Sequence, residues 1–316
     1  MDFTHLHIHD ELGSLLDGAI RVPEVSATAK ELGMSSIAVS NHGSLASCLQ
    51  HYEQSKKIGI KPIFALEAYI TEDKDGLPNQ LKTRDNYHMI LIAKDAEGWK
   101  NLMRLNSIAY EKNFYHKPRI SIDNLADYSK GIIASSACLA GLCSRFATYD
   151  EINNKYWDKD HKVELKIDYF KEIFYGQYYL EVMDNSMPQQ LAYNSFLLEM
   201  SKKTNTKMII TSDAHYRTKE DEELHSMLMA MQTKRSIKDY KENGYFHYEN
   251  CYIRTPQEML DAAKKIGCED AFHNTLEISD QVNIELELDT FKLPLFDIQN
   301  DPDYQDYLAE GCTHDK

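Results

Sequence analysis

Along the chain, short runs of alternating or continuous apolar residues are separated by longer stretches in which apolar residues return every three or four positions. The short runs are His5–His9, Ser36–Ser40, Pro62–Ile70, Tyr87–Ala93, Gly131–Ser135, Gln177–Val182, Lys207–Thr211 and Cys251–Ile253, and they read as strands. Three of the longer stretches read as helices. Ser44–Ile58 carries Leu45, Cys48, Leu49 and Tyr52 on one face and ends at Gly59; Glu97–Glu111 carries Trp99, Leu102, Leu105, Ile108 and Ala109. Thr218–Gln232 opens on a Thr-x-x-Asp cap and sets Leu224, Met227, Leu228 and Met231 at i, i+3, i+4 and i+7. Strands alternating with helices predict an α/β protein with a mostly parallel sheet, doubly wound or closed into a barrel. Thr71–Asp85, polar with Gly76 and Pro78, reads as a loop. Thr148–Asp168, rich in lysine and aspartate, reads as an exposed insertion or a loosely packed helix. Residues 1–288 are predicted to form one domain. Beyond Leu288 the periodicity stops, and 289–316 reads as an extended exit through Leu293-Pro294-Leu295 and Pro302, followed by the start of another element cut short.

A chain of 316 residues can bury the core of one large barrel. No apolar run approaches the length of a membrane span. The first twenty residues lack a basic start followed by an apolar core, so neither a membrane helix nor a signal peptide is expected. Six scattered cysteines without a Cys-x-x-Cys pair point to a reducing, cytoplasmic setting. The net charge of −15 makes the surface as a whole a poor nucleic-acid binder. That argument weakens if clustered acids are metal ligands, whose charge bound cations offset, or if a larger partner supplies a basic groove.

The candidate chemistry sits where strands end. His5, His7 and His9 alternate with Leu6 and Ile8, so all three imidazoles share one face of the first strand. One histidine there would be unremarked; three within five residues suit a metal site, because neutral imidazole is a common ligand of zinc, manganese and iron. Asp17, His42, Glu67, His88 and Cys138 lie at or near the ends of successive strands, and Asp213-x-His215 repeats the i, i+2 spacing at a later one. Singly each has an ordinary explanation: a cap at His42, a salt bridge at Glu67, core packing at His88 and Cys138. Active sites of parallel α/β proteins gather at the carboxyl ends of the strands, so together these residues converge on one pocket. Nine N, O and S ligands are too many for one ion and suit two or three bridged by carboxylates. Such a centre acidifies a water, orients in-line attack and neutralises phosphoryl charge. No P-loop, dinucleotide glycine fingerprint or nucleophile elbow is present.

Several stretches resemble the polymerase-and-histidinol-phosphatase (PHP) domain at the N-terminus of the bacterial replicative DNA polymerase III alpha subunit. They include His5-Leu6-His7-Ile8-His9, Ser14-Leu15-Leu16-Asp17-Gly18, Asn41-His42-Gly43, Tyr87-His88, Phe114-Tyr115-His116-Lys117-Pro118-Arg119-Ile120, Ser136-Ala137-Cys138-Leu139-Ala140-Gly141 and Asp213-Ala214-His215-Tyr216. The resemblance spans roughly 1–295 and implies a distorted (β/α)7, TIM-like barrel. It also implies a centre of two to three divalent ions (Zn, Mn or Fe) held by His7, His9, Asp17, His42, Glu67, His88, Cys138, Asp213 and His215. It further implies metal-dependent 3′–5′ exonuclease activity, with Asp213, His215 and His9 as the catalytic residues. The DNA 3′ end would be the substrate, and the remaining domains or chains of a replicative polymerase the partners. His5 is expected to be structural or to support a ligand. Two departures stand out: the His9–Asp17 segment is one residue longer than usual, and Asn41 replaces the aspartate that usually precedes the histidine of its motif. Sequence for a polymerase palm, fingers and thumb is absent, which the resemblance reads as an excised domain or a split, phage-encoded fragment. A phosphatase for small phosphate monoesters and a non-catalytic polymerase module with structural metals are the competing readings.

Overall fold

The strand-forming runs pair into one curled sheet. Its strands are β1 (Ser36–Val39), β2 (Lys61–Thr71), β3 (Tyr87–Ala93), β4 (Arg119–Ser121) and β5 (Ile132–Ser135); β6 (Thr148–Asp150) and β7 (Lys155–Trp157) form a separate hairpin, and β8 (Tyr178–Met183) and β9 (Met208–Thr211) return to the main sheet. The order is β1-β2-β3-β5-β8-β9, with β4 beside the far end of β2. The computed structural model describes residues 1–243 and 249–288. The compact unit that holds the sheet is Met1–Ile284.

The histidine-bearing segment closes the sheet. His5 pairs with Ile37 of β1, and Ile8 pairs with Ala214 just past β9. The Ala38 N–H donates to the His5 carbonyl (2.9 Å), while the His9 N–H donates to the Ala214 carbonyl (2.8 Å). The segment is too short and twisted to carry a continuous ladder, but it is bonded on both sides. The six strands of the sheet path plus this segment give the seven staves of a distorted TIM-like barrel. The sheet is mostly parallel, as expected, with one strand reversed. β1–β2, β5–β8 and β8–β9 are parallel, but β3 runs antiparallel to both β2 and β5. Parallel neighbours need a crossover, usually a helix, and residues 72–86 between β2 and β3 supply none. Buried Arg119 pins that loop instead: its guanidinium lies 3.0 Å from Asp73 and donates to the carbonyls of Thr83 (3.0 Å) and Asp85 (3.2 Å).

The helices are α1 (Val22–Glu31), α2 (Cys48–Ile58), α3 (Ala96–Glu111), α4 (Ile122–Asp127), α5 (Leu142–Phe146), α6 (Lys162–Ile173), α7 (Pro188–Thr204), α8 (Glu222–Gln232), α9 (Ile237–Asn243), α10 (Pro256–Ile266) and α11 (Glu269–Gln281). In α3 the predicted stripe of Leu102, Leu105, Ile108 and Ala109 is buried, and Asp95 caps the helix by accepting the Gly98 N–H. Gly98 is required there because a Cβ would collide with the Gly131 carbonyl.

Four expectations are corrected. Helix α2 begins at Cys48 rather than Ser44, and it buries His51 and Ser55 while Leu49 faces out. Helix α8 turns its Leu224, Met227 and Met231 outward and buries His225, Met229 and Ala230. Cys251–Ile253 is a single pairing of Tyr252 with Tyr216, because the Cys251 carbonyl accepts the N–H groups of both His215 (2.8 Å) and Tyr216 (3.3 Å) and so cannot continue a ladder. Thr148–Asp168, exposed over much of its length as expected, is not a loosely packed helix: it forms the β6–β7 hairpin and the start of α6, and it buries Tyr156 and Val163. The exit predicted for 289–316 lies outside the described residues.

His51 makes the fold acid-sensitive. It is fully buried, its Nε2–H donates to the Ile37 carbonyl of β1 (3.1 Å), and burial holds its pKa down to about 4, against an ordinary 6.5. Between those values the unfolded chain takes up a proton that the folded chain refuses, so stability falls as pH drops from 6.5 toward 4. Urea titrations at pH 7 and pH 5 should show wild type losing about 2 kcal/mol more than His51→Gln. Equal losses would remove His51 from this account.

Candidate metal centre

Strand register places the first candidate ligands. Parallel pairing sets His42, at the end of β1, opposite Glu67 of β2, and antiparallel pairing sets His88 of β3 opposite Tyr69. Glu67 and Tyr69 lie two residues apart on one face, so Glu67 is the diagonal neighbour of His88. His42 Nδ1 lies 2.6 Å and His88 Nδ1 2.7 Å from the Glu67 carboxylate. Cys138, beyond β5, brings Sγ to 3.7 Å from His88 Nδ1. From the closing segment, His9 Nε2 reaches Glu67 at 3.3 Å, and His7 Nε2 and His9 Nε2 reach Asp213 Oδ1 at 3.1 and 3.2 Å. Asp17 lies 3.0 Å from His42 Nε2 and 3.7 Å from His215 Nε2. All nine residues singled out in the sequence therefore meet in one cluster. His5 does not join it: its Nε2–H donates to the Arg254 carbonyl (2.9 Å).

Surrounding groups fix three imidazoles with Nε2 facing inward. The His7 Nδ1–H donates to Glu181 (2.7 Å), the His9 Nδ1–H to Ser14 Oγ (3.0 Å) and the His215 Nδ1–H to the Asp213 carbonyl (2.8 Å). Ser14 can accept from His9 because its own hydroxyl proton goes to Asn41 Oδ1 (2.9 Å). The Asn41 amide donates in turn to Asp10 (2.7 Å), a bond that an aspartate at position 41 could not make while both were ionised. In the His9–Asp17 segment Gly13 packs directly on Asn41, where a Cβ has no room. Asp213 adopts the left-handed region, φ 48°, and this turn folds its carbonyl back onto His215.

Glu181 is the residue of the candidate site that the sequence reading missed. It lies in β8, is fully buried, and accepts from His7, Thr211 (2.6 Å) and Ser135. A glutamate within the apolar run Tyr178–Met183 was the available signal; without strand register its target could not be read.

Among these side chains the charges lock together. Burial alone would raise the Glu67 carboxyl, but His42, His88 and His7 outweigh it and hold it well below the usual carboxylate range. Asp213 is likewise held down against burial by His7 and His215, and Asp17 by His215 and His42. Burial would lower His42, yet Glu67 and Asp17 push it up to about 10. His9 is held down to about 3 by burial and by its neighbours His42 and His215, whose rings stack on it at 4.2 and 4.3 Å. These surroundings favour the neutral form of the His9 imidazole.

The donor set suits cations. His7 Nε2, His9 Nε2, His42 Nδ1, Asp17 Oδ1, Glu67 Oε2 and Asp213 Oδ1 are buried and make no hydrogen bond among the described residues. His42 Nδ1 and Glu67 Oε2 approach to 2.6 Å without a geometry in which a proton is shared. Buried polar atoms normally have partners; here six such atoms point at one another, which divalent cations would satisfy. Three overlapping groups could each hold an ion: His7, His9 and Asp213; His9, His42 and His215; His42, Glu67 and His88. A fourth, Asp158, His161 and Glu164, already receives Lys203, 2.6 Å from Glu164 and 3.1 Å from His161. The central cluster floors a cleft of about 1060 Å³.

Residues 5–185 match the PHP domain family, more than half of the chain. The chain belongs to that family. Similar proteins include the DNA polymerase III subunit alpha of Aquifex aeolicus (strain VF5), 38% identical over 98% of this chain and 27% of the relative. That of Helicobacter pylori (strain ATCC 700392 / 26695) is 39% identical over 90% of this chain and 23% of the relative. That of Thermus aquaticus is 31% identical over 98% and 25%. This PHP domain thus spans about a quarter of the length of these relatives. A solved amidohydrolase from Chromobacterium violaceum, with bound sulfate and no metal, aligns at 12% identity over 67% of this chain and 87% of that one, TM-score 0.42.

Proposed function

We propose that this PHP domain is a metal-dependent phosphodiesterase that trims DNA 3′ ends beside a replicative polymerase, in the cytoplasm of a bacterial or phage-infected cell. One observation carries the reading: carboxylates and imidazoles from distant parts of the chain converge with buried, unpartnered lone pairs at the floor of an open cleft. His7, His9, Asp17, His42, Glu67, His88, Cys138, Asp213 and His215 would hold two or three divalent ions, with Glu67 and Asp213 central. Ions held there would acidify a water and neutralise phosphoryl charge. The chain's own residues do the rest. Glu181, Ser14 and the Asp213 carbonyl hold three imidazoles in one tautomer. His215 and Asp213 line the reacting floor, His9 is buried against His215, and the cleft leaves room for a strand end. The alpha-subunit names of the relatives support the link to replication. No helix among the described residues is long and apolar enough to cross a membrane.

Metal analysis and a nuclease assay on one purified sample test the proposal. Bound zinc, manganese or iron should accompany release of mononucleotides from a labelled single-stranded oligonucleotide, and chelation should end it. Metal at a thousandfold excess over Kd should stabilise the fold by about 4 kcal/mol, read as a higher Tm. Full metal occupancy with a raised Tm and no hydrolysis of any phosphoester would instead make the site structural.

A further inference from the structure

The walls of the cleft differ in charge from the rest of the molecule. The chain carries 50 acidic residues against 35 lysines and arginines. Yet among the described residues the only carboxylates lining the cleft are Asp17, Glu67 and Asp213, all on its floor. Its walls carry two cations, Lys117 and Arg145, and neither forms an ion pair with a carboxylate among the described residues. In so acidic a protein, solvent-facing cations left without acids beside an electrostatically locked site are suited to an incoming anion.

Lys117 is held in place. Its Nζ sits 5.1 Å above the Tyr69 ring and donates to the Tyr69 hydroxyl (3.3 Å). Tyr69 in turn packs against His42 and His88, with ring centroids 6.0 and 5.2 Å apart. The ammonium is thereby tethered one ring away from the floor. Arg145 lies on α5, which follows the Cys138 turn, and its side chain is exposed. Beside Lys117 the rim carries an aromatic face. Tyr110, at the end of α3, is 51% exposed, lines the cleft, and stacks on Phe114 (6.1 Å, 30°), which is also 51% exposed.

We propose that Tyr110, Lys117 and Arg145 form a subsite for a single nucleic-acid strand, with the two cations taking backbone phosphates and the Tyr110 ring taking the face of a base. Cations interleaved with exposed aromatic rings are the means by which proteins hold single strands without reading sequence. A base offers its face to Tyr110 only when unpaired, so the subsite selects frayed or single-stranded ends. The subsite deepens the phosphodiesterase reading by naming how its substrate is held, and it rests on that reading.

The test measures binding apart from turnover. Anisotropy of a 5′-fluorescein dT12 oligonucleotide is followed with the full chain, in manganese and in EDTA, from 25 to 200 mM KCl. Lys117→Gln and Arg145→Gln should each weaken binding about tenfold at low salt and flatten the slope of log Kd against log salt by about 0.7. Tyr110→Ala should weaken it between fivefold and a hundredfold, Tyr110→Phe should restore it, and the slope should not change in either. Lys130→Gln, a charge loss away from the cleft, should match wild type. Wild-type affinity and slope in the three cleft variants would overturn the subsite, as would absence of binding by the wild type. Hydrolysis of bis(p-nitrophenyl) phosphate by the same wild-type sample keeps the two readings apart. Hydrolysis with unaffected cleft variants sinks the subsite alone. The expected binding losses with no hydrolysis of either substrate sink the phosphodiesterase and leave the strand site standing.

Discussion

Asp213→Asn is expected to lower phosphodiester hydrolysis by roughly a thousandfold, a loss of several kcal/mol of transition-state stabilisation. A single oxygen, Asp213 Oδ1, is approached by His7 Nε2 at 3.1 Å, His9 Nε2 at 3.2 Å and His215 Nδ1 at 3.6 Å. It is buried and makes no hydrogen bond among the described residues, so its lone pairs are available to a cation. The amide is nearly isosteric. It removes a full negative charge and places either a weaker carbonyl donor or an N–H among the imidazoles. The N–H would hydrogen-bond the His7 or His9 Nε2 and take that nitrogen away from any metal. Metal content measured on the variant should fall together with the rate. Turnover within tenfold of wild type at full metal loading would show that Asp213 is dispensable and would end the case for this centre as a hydrolase site.

The parts of this arrangement that could be read from sequence are those in which side-chain chemistry and strand periodicity coincide. Three histidines at period two must share a face, and Asp213-x-His215 repeats the device, so these positions announced themselves. Glu67 was legible because a carboxylate in the apolar run Phe64–Ala68 must be partnered once buried. Glu181 obeys the same physics, yet its partner His7 is 174 positions away, and only the pairing of β8 with its neighbours shows that the two face each other. Helix α8 failed for a different reason. Leu224, Met227, Leu228 and Met231 form the more apolar stripe, but tertiary context overrode it. His225 is turned inward, where it hydrogen-bonds the Asp17 backbone and lies 5.4 Å, ring to ring, from both His215 and Tyr216. Burial holds its pKa down to about 4, so it packs as a neutral ring supporting the Asp17 loop. The antiparallel course of β3 was hidden because periodicity defines strands and not their directions. What decides direction is the lack of a crossover helix in residues 72–86, which the sequence did show as a polar loop.

Glu181→Ala carries the second large effect, expected in stability and in metal affinity together. The carboxylate is fully buried and accepts from His7 Nδ1, Thr211 Oγ1 and Ser135 Oγ. Alanine strips three buried donors of their acceptor at once. It also removes the negative charge that, with Asp213 and Glu67, pushes the His7 pKa up against the pull of burial. Removing one partner of a buried ion pair costs about 3–5 kcal/mol, so Tm should fall by many degrees, and urea unfolding of the metal-free protein should show the loss directly. Released from Glu181, His7 can adopt the other tautomer and present a protonated Nε2 toward Asp213, so manganese or zinc affinity should drop roughly ten- to a hundredfold. Glu181→Gln separates the two effects. Its carbonyl oxygen can still accept from His7 and Thr211 while its amide faces the Ser135 hydroxyl, which can rotate to accept, so most of the metal affinity should return with only part of the stability. Unchanged metal affinity in Glu181→Ala would mean that the inward aim of His7 is set by the barrel backbone alone, and that the buried carboxylate serves only the packing of β8 against β5 and β9.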